Sequence, residues 1–310
     1  MTAGVTADAL AAIDCGTNST RLLVVDEAGR PLIRLMRITR LGEGVDATGV
    51  LSPDAIARTV AVLREFRELM DQAGVGRARL VATSAVRDAG NGDEFLAEAR
   101  LTTGVEAEVL AGADEGRLSL AGALSELSEP GPYLVLDIGG GSTELVVGRD
   151  AADPGLRVAS MQLGCVRLTE RFLTADPPTP SQLSAAEAEV ADQLDAVIED
   201  EPQFLSAHRL VGLAGTVSTL ASLDAGLAEY DRDRIHHATL TASSVFDWYR
   251  TLAAEPAAAR LTRPGMVAGR QDVIVGGALI LASVMGRFGF DECLVSEADI
   301  LDGLVGSLRA

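Results

Sequence analysis

Short apolar runs and amphipathic segments alternate along the chain. Residues 10–14 and 22–26 are apolar runs on either side of a turn at Gly16, and this pattern predicts a β-hairpin rather than one long strand. Further strands are predicted at residues 80–84, 133–137, 145–148, 210–212 and 292–296. This alternation of strands with the helices described next is typical of α/β architecture.

The predicted helices have recognisable start signals. Residues 53–72 have the periodicity of an amphipathic helix, with Ser52 as N-cap and Pro53 in the first turn. Ser184 and Glu187 have the spacing of a capping box, which predicts that an acidic helix begins there and runs to about residue 201. Other helices are predicted at residues 92–101, 113–127, 215–223, 274–285 and 299–308.

One segment of eleven residues occurs twice, at residues 14–24 and 137–147. At a constant offset of 123, the two copies share Asp, Gly, Ser, Thr, Leu and Val at six of the eleven positions. Such a duplication predicts two similar domains that face each other across a cleft. We place the first domain at residues 1–128, joined by the C-terminal helix 299–310, and the second at residues 129–298.

Composition removes several classes of function. All 26 basic residues are Arg, so a P-loop lysine, a Schiff-base lysine and a kinase-type phosphate lysine are excluded. With 45 acidic residues the net charge is −19, and binding to nucleic acid backbone is not expected. The three Cys are widely spaced, as in a reduced cytoplasmic protein. The longest uncharged runs have 14 residues, and the N-terminus does not resemble a signal peptide, so no membrane partner is expected.

Each repeat places an Asp at a strand end, directly before a Gly-containing turn. Backbone N–H groups and Ser/Thr hydroxyls in such a turn can form a nest for phosphate oxygens. Asp14 and Asp137 can hold Mg²⁺ directly or through water, and Glu144 lies on the returning strand, where it can point at the same ion. A third turn places Gly215 and Thr216 at a helix start, although a small-residue turn of this kind is also common for structural reasons alone.

These motifs bring a resemblance to a known family. Residues 14–21, 137–145 and 213–216 resemble the phosphate-binding motifs of the actin/sugar-kinase/heat-shock ATPase superfamily. Within it, residues 82–89, 110–117 and 164–170 resemble motifs of the exopolyphosphatase/guanosine pentaphosphate phosphohydrolase (Ppx/GppA) family. The resemblance runs from about residue 10 to 305, and it implies an α/β fold of two actin-like, ribonuclease H-like domains.

The resemblance also implies roles for particular residues. Glu115 matches the second Glu of a family motif and is the implied general base for the attacking water, a role that suits a carboxylate beside phosphate. The same residue type is also favoured in the first turn of any surface helix. Ala111, Asp114 and Gly116 replace the usual Ser, Glu and Ala around it.

Phosphate and metal ligands follow from the same motifs. Arg87 matches a phosphate-contacting Arg, and Arg21 is a second candidate, since the guanidinium fork suits phosphate. The implied phosphate-binding set is Gly16, Thr17, Asn18, Ser19, Arg21, Arg87, Gly139, Gly140, Gly141, Ser142, Thr143, Gly215 and Thr216. The implied ligands of the Mg²⁺ cofactor are Asp14, Asp137 and Glu144.

The leading hypothesis is a Mg²⁺-dependent exopolyphosphatase that removes terminal phosphate from inorganic polyphosphate. Short chains are expected, because residues 1–150 have 14 Arg against 23 acidic residues, residues 151–310 have 12 against 22, and no long basic track is visible. The alternative within the family is a guanosine pentaphosphate 5′-phosphohydrolase. An actin-like or chaperone-like ATPase, or a sugar kinase, is disfavoured because 310 residues leave little room for the insertions those proteins carry. A homodimer is left open.

Overall fold

The computed structural model describes residues 9–127 and 131–309, and the chain divides into two compact units. The first unit comprises Met1–Gly122 together with Ile300–Ala310, and the second comprises Ala123–Asp299. The predicted domain boundary between residues 128 and 129 lies outside the described residues. The C-terminal helix is therefore part of the first unit, although it is last in the chain.

The first unit contains a five-stranded sheet with the order β3-β2-β1-β4-β5. Its strands are β1 Ala9–Cys15, β2 Ser19–Val25, β3 Pro31–Ile38, β4 Val75–Ala82 and β5 Ala107–Val109. The first three strands are antiparallel, whereas β4 pairs parallel to β1 and β5 pairs parallel to β4. Its helices are α1 Val45–Thr48, α2 Pro53–Gln72, α3 Ser84–Asp88, α4 Gly92–Thr103, α5 Gly112–Leu124, which ends just beyond the unit boundary, and α13 Ile300–Arg309.

Strand β1 is apolar from Ala9 to Ile13 because both of its faces are covered. All seven of its residues are buried. Ala11 and Ile13 pack into a cluster with Phe66 of α2, whereas Leu10 and Ala12 pack into a second cluster that contains residues of α13. A strand buried on both faces needs a continuous apolar run rather than alternation, which is why its sequence reads as a short uninterrupted stretch.

The second unit contains a six-stranded sheet with the order β10-β11-β9-β6-β7-β8. Its strands are β6 Tyr133–Ile138, β7 Thr143–Gly148, β8 Arg157–Met161, β9 Arg209–Leu213, β10 Thr239–Thr241 and β11 Glu292–Val295. Its helices are α6 Cys165–Phe172, α7 Pro180–Asp200, α8 Ala214–Asp224, α9 Arg232–Ile235, α10 Ala242–Ala253, α11 Ala257–Leu261 and α12 Ile274–Phe288, with a 3₁₀ turn at Pro202–Ser206.

The two sheets repeat one topology. In each, an antiparallel group of three strands is followed by two parallel strands beside its first member: β4 and β5 beside β1, and β9 and β11 beside β6. Among the strands of the described residues, only β10, antiparallel to β11, is additional. The duplication seen in eleven residues therefore extends to whole domains, and the predicted α/β class is confirmed.

Helix α12 is the centre of the second core. It packs against α6, α7, α8 and α10, and most of its residues, from Ile274 to Met285, are buried. This explains why its sequence is uncharged almost throughout. No helix within the described ranges combines the length and the apolar character needed to cross a membrane.

Three kinds of element differ from the sequence prediction. The edge strands β3, β5, β8 and β10 were not predicted, because their residues are mostly half-exposed or exposed and lack the apolar run of the central strands. Helices α6 and α10 and the short helices α1, α3, α9 and α11 were not predicted either. The strand predicted at residues 80–84 ends at Ala82, and Ser84 instead begins α3.

The predicted capping box at Ser184 and Glu187 is wrong. Helix α7 begins one turn earlier, at Pro180, with Thr179 as N-cap and Gln182 completing the box. Gln182 N–H donates to Thr179 Oγ1 at 3.3 Å, and the Thr179 N–H donates to Gln182 Oε1 at 3.1 Å. Glu187 lies within the helix and accepts a hydrogen bond from Tyr249 Oη at 2.8 Å. Two capping signals occurred in succession, and the chain uses the first, which also has Pro at N1.

We therefore expect Thr179→Ala to lower the free energy of unfolding by about 1 kcal/mol, because it removes the acceptor of an otherwise unsatisfied helix N–H group. Ser184→Ala is the matched control, since this exposed residue lies inside the helix. It should change the free energy by less than about 0.5 kcal/mol. Urea denaturation followed by circular dichroism measures both. Equal losses for the two variants would contradict the assignment of the cap.

Candidate functional site

In the first unit, the predicted residues gather at the carboxyl ends of β1, β4 and β5. Parallel strands end at the same edge of a sheet, and in open α/β sheets ligands bind there. Asp14 lies near the end of β1, and the turn that follows is closed by a hydrogen bond from Gly16 N–H to Ser19 O at 3.0 Å. The Thr17 hydroxyl lies 2.9 Å from that of Ser84, which follows β4, and both side chains are buried.

Arg87 and Glu115 form the second part of this group. Arg87 Nη1 lies 3.5 Å from Glu115 Oε2 and donates to the Leu110 carbonyl at 2.8 Å. Glu115 is in the first turn of α5 and is only 8% exposed. Arg87 Nη2 is buried and makes no hydrogen bond to any part of the chain that the structure describes. Arg87 Nη1 thus forms an ion pair with the carboxylate, and Nη2 can donate to a ligand.

Asp14 and Arg21 are direct partners across the β1–β2 pair. Arg21 Nε and Nη2 both donate to Asp14 Oδ2, at 2.9 and 2.6 Å. Asp14 is almost fully buried, and the guanidinium supplies the positive charge that such a carboxylate requires. The metal-binding role expected of Asp14 and the phosphate-binding role expected of Arg21 both remain predictions, but these two side chains already bind each other.

In the second unit, Asp137 and Glu144 occupy the equivalent cross-strand positions. Both are buried, and Ser160 Oγ of β8 donates to Glu144 Oε1 at 2.8 Å. Like charges directly opposite each other destabilise a sheet, and a divalent cation between them would offset that repulsion. The donor set, two carboxylates on facing strands, therefore fits the expected Mg²⁺. The first unit, with Arg21 in place of the Glu, fits a cation less well.

The two glycine turns have the same geometry. Gly139 N–H donates to Ser142 O at 3.0 Å, as Gly16 does to Ser19. Each turn also ends in a buried polar atom that has no hydrogen-bond partner within the described parts of the chain, Asn18 Nδ2 in the first and Thr143 Oγ1 in the second. A buried polar group left unsatisfied is costly, so these atoms are suited to a bound anion.

Arg270 is a residue that the sequence analysis missed. It is 7% exposed, and a methyl group added at Gly215 would overlap its guanidinium, so the side chain lies directly on the Cα of the third predicted phosphate turn. Ala214 lies between the end of β9 and Gly215, and its φ of 65° is in the left-handed region. Arg270 is surrounded by a loop without periodicity, so no local signal could have identified it. The absence of a side chain at Gly215 was the only indirect sign.

Thr216 and Cys165 connect this turn to α6. The Cys165 side chain interacts with Thr216 and with the charge of Arg270, and these contacts lower its pKa, but burial has the larger effect and raises it. The thiol therefore stays protonated, which agrees with a packing role rather than a nucleophilic one. A methyl group at Gly277 of α12 would overlap the hydroxyl of Thr216 in α8, so α8 and α12 are in close contact there.

A separate group, Glu126, His236 and His237, places its candidate ligand atoms within 4.8 Å of one another. His236 Nδ1 accepts the Glu297 N–H at 3.0 Å, which assigns the proton of the neutral ring to Nε2. That nitrogen lies 2.5 Å from Glu126 Oε2 and donates to it. In this tautomer Nε2 carries a proton and Nδ1 accepts a hydrogen bond, so neither ring nitrogen of His236 offers a lone pair to a metal ion. The group is therefore explained as a hydrogen-bonded cluster.

Comparison with known proteins agrees with the resemblance seen in the motifs. The model of the Ppx/GppA phosphatase family matches residues 23–308. Exopolyphosphatase 2 of Mycobacterium tuberculosis strain ATCC 25618 / H37Rv is 41% identical over 316 residues, covering 96% of this chain and 98% of that protein. The crystal structure of the Aquifex aeolicus Ppx/GppA family member has a TM-score of 0.80 at 33% identity, covering 97% of this chain and 98% of the other. An exopolyphosphatase-like protein of known structure has a TM-score of 0.91 at 36% identity, with the same coverage. The chain belongs to the Ppx/GppA phosphatase family.

Proposed function

We propose that this protein is a Mg²⁺-dependent exopolyphosphatase that removes terminal phosphate from short chains of inorganic polyphosphate. Its 41% identity to an exopolyphosphatase over nearly the full length of both proteins supports this substrate class. The structural observation that carries the proposal is the ion pair of half-buried Arg87 with buried Glu115 at the carboxyl edge of the first sheet. It provides a carboxylate for water beside a guanidinium for phosphate.

In the proposed reaction, Glu115 accepts a proton from the attacking water. The water oxygen forms a bond to the terminal phosphorus, the bond from phosphorus to the bridging oxygen breaks, and the shortened chain leaves with the electron pair. Arg87 orients the Glu115 carboxylate and donates from Nη2 to an oxygen of the terminal phosphate. Phosphoryl transfer of this kind needs little beyond positioning and charge stabilisation, which these two side chains are suited to provide.

In the proposal, each unit has its own set of phosphate ligands. Residues 16–19 and 139–143 offer backbone N–H groups, and Asn18 Nδ2 and Thr143 Oγ1 are buried donors that lack a partner in the described chain. Arg270 adds a positive charge at Gly215 and Thr216. Within each unit these donors are local, so a few terminal phosphates suffice for binding. This, with the excess of acidic residues in both halves, supports a preference for short chains.

Asp137 and Glu144 are the proposed Mg²⁺ ligands, with Ser160 orienting Glu144. When bound, Mg²⁺ neutralises phosphate oxygens and so lowers the repulsion that the substrate meets from the two carboxylates. Asp14 is assigned mainly to its ion pair with Arg21, which orients that guanidinium at the first glycine turn.

Glu115→Gln should reduce the rate of phosphate release from short polyphosphate by at least about 100-fold, since the amide cannot accept the proton. Asp114→Asn is the matched control: this neighbouring acid is exposed and pairs with Arg117 on the helix surface. It should keep the rate within about two-fold. Phosphate release is measured in parallel from short polyphosphate, long polyphosphate, guanosine pentaphosphate and ATP.

The same four substrates distinguish the proposed function from its alternatives. Higher turnover with guanosine pentaphosphate than with polyphosphate would replace the proposed substrate by the family alternative. Hydrolysis of ATP alone would overturn the exopolyphosphatase assignment. A Glu115→Gln variant that retains normal turnover would remove Glu115 from the mechanism.

Glu144→Gln should raise the Mg²⁺ concentration needed for half-maximal rate by about ten-fold or more, because one anionic ligand is lost. Ser160→Ala should raise it by a smaller factor, since the carboxylate remains but is no longer oriented. Ser206→Ala is the control, an exposed Ser that donates only to the nearby Gln203 carbonyl. Mn²⁺ binding followed by electron paramagnetic resonance gives a readout independent of turnover. Unchanged metal binding in Glu144→Gln would contradict the site.

Arg270→Ala should weaken the binding of inorganic phosphate by about ten-fold, the usual effect of losing one charge-assisted hydrogen bond. Gly215→Ala should have a similar effect, because its methyl group would displace the guanidinium. The double variant should then bind no more weakly than Arg270→Ala alone. Isothermal titration calorimetry measures all three, and additive losses would show that Gly215 does not act through Arg270.

A further inference from the structure

The segment at the start of α6 covers one side of the second glycine turn. Cys165 N–H donates to the Gly139 carbonyl at 3.0 Å, and the N–H groups of Val166 and Arg167 donate to the Gly140 carbonyl at 2.9 and 3.1 Å. The Arg167 side chain adds a further bond, from Nε to the Gly141 carbonyl at 2.7 Å. Three successive carbonyl oxygens of the turn are therefore bound by one helix start.

This arrangement determines where the N–H groups of the turn point. In a planar trans peptide, the carbonyl of one residue and the N–H of the next point in opposite directions. With the carbonyls of residues 139–141 directed at α6, the N–H groups of residues 140–142 are directed away from it. Consecutive N–H groups on one side of a turn form the nest that binds a phosphate oxygen.

Gly164 makes this close contact sterically feasible. Its φ of −134° and ψ of 165° are extended values that any residue can adopt, so no conformational reason requires glycine there. A methyl group at this position would overlap the Gly140 carbonyl and the peptide bond that follows it. Backbone cannot move aside as the end of a flexible side chain can. The glycine is needed for the approach of α6 to the turn.

In the first unit, the carbonyl groups of the glycine turn are also bound by a neighbouring segment, but its residues are unrelated to those of α6. Thr39 and Arg40 N–H groups donate to the Asn18 carbonyl at 3.1 and 3.0 Å, and Gly42 N–H donates to the Thr17 carbonyl at 2.9 Å. A methyl group at Gly42 would overlap Thr17. In both units, the segment after the third strand binds the carbonyls of the turn, and a glycine permits the contact.

We propose that Gly164 and Arg167 are positioning residues that direct the N–H groups of residues 140–142 toward phosphate. The inference rests on the proposed function for the identity of the anion, a terminal phosphate of the substrate. It predicts that a change on the covered side of the turn, away from the phosphate, weakens anion binding. Neither residue needs to contact the substrate.

The test measures anion binding separately from turnover. Gly164→Ala and Arg167→Ala are titrated with inorganic phosphate by calorimetry, and kcat and KM are measured with tripolyphosphate. We expect the phosphate Kd and the KM to rise about ten-fold for Gly164→Ala and about three-fold or more for Arg167→Ala, with a smaller change in kcat. Arg167→Lys should restore much of the loss, since an ammonium can also donate to the Gly141 carbonyl.

Gly286→Ala is the matched control, because a methyl group at this glycine of α12 meets no atom within 4 Å. Thermal unfolding reports whether each variant is folded, and Arg167→Ala keeps the test decisive if Gly164→Ala does not fold. Wild-type phosphate affinity in folded Gly164→Ala or in Arg167→Ala would overturn the inference even if the enzyme hydrolyses polyphosphate. Weakened phosphate binding in a protein that does not hydrolyse polyphosphate would support the inference and reject only the proposed substrate.

Discussion

Compensation of buried carboxylates is the constraint on which the rest of the structure depends. Strands β1 and β6 are covered on both faces, yet each carries an Asp near its end, 2% and 7% exposed. A buried carboxylate is costly unless a cation or several hydrogen-bond donors accompany it. The cross-strand neighbour, seven residues later, is the position best placed to satisfy this requirement. The chemistry of each unit follows from which residue stands there.

The buried Asp has a different cross-strand neighbour in each copy. Arg21 neutralises Asp14 within the protein itself, whereas Glu144 adds a second negative charge beside Asp137. The first copy therefore has an ion pair at these positions, whereas the second has two carboxylates, a donor set that suits a hard cation. The same order of five strands thus surrounds an Asp–Arg pair in one unit and an Asp–Glu pair in the other.

Glycine residues at or beside these turns have a common role, and this role does not depend on a left-handed backbone. The glycines at positions 42, 164 and 215 have no positive φ, but a methyl group at each would overlap another part of its own unit. They permit close approach, of α6 to a turn or of Arg270 to a helix start. The direction of the N–H groups in a turn thus depends on packing behind the turn as much as on the turn itself, because backbone N–H groups cannot be reoriented alone.

The sequence by itself determined the central strands, most of the longer helices, the duplication and the two glycine turns that follow an Asp. These features depend on the burial pattern and the turn residues of short continuous segments, which can be recognised without knowledge of distant contacts. It did not reveal the edge strands β3, β5, β8 and β10, whose mostly half-exposed or exposed residues form no apolar run. Nor did it choose Thr179 over Ser184, since both are good caps. Only the tertiary structure paired Arg21 with Asp14 and brought Arg270 onto Gly215. Such contacts join residues distant along the chain, and strand pairing and helix packing decide them.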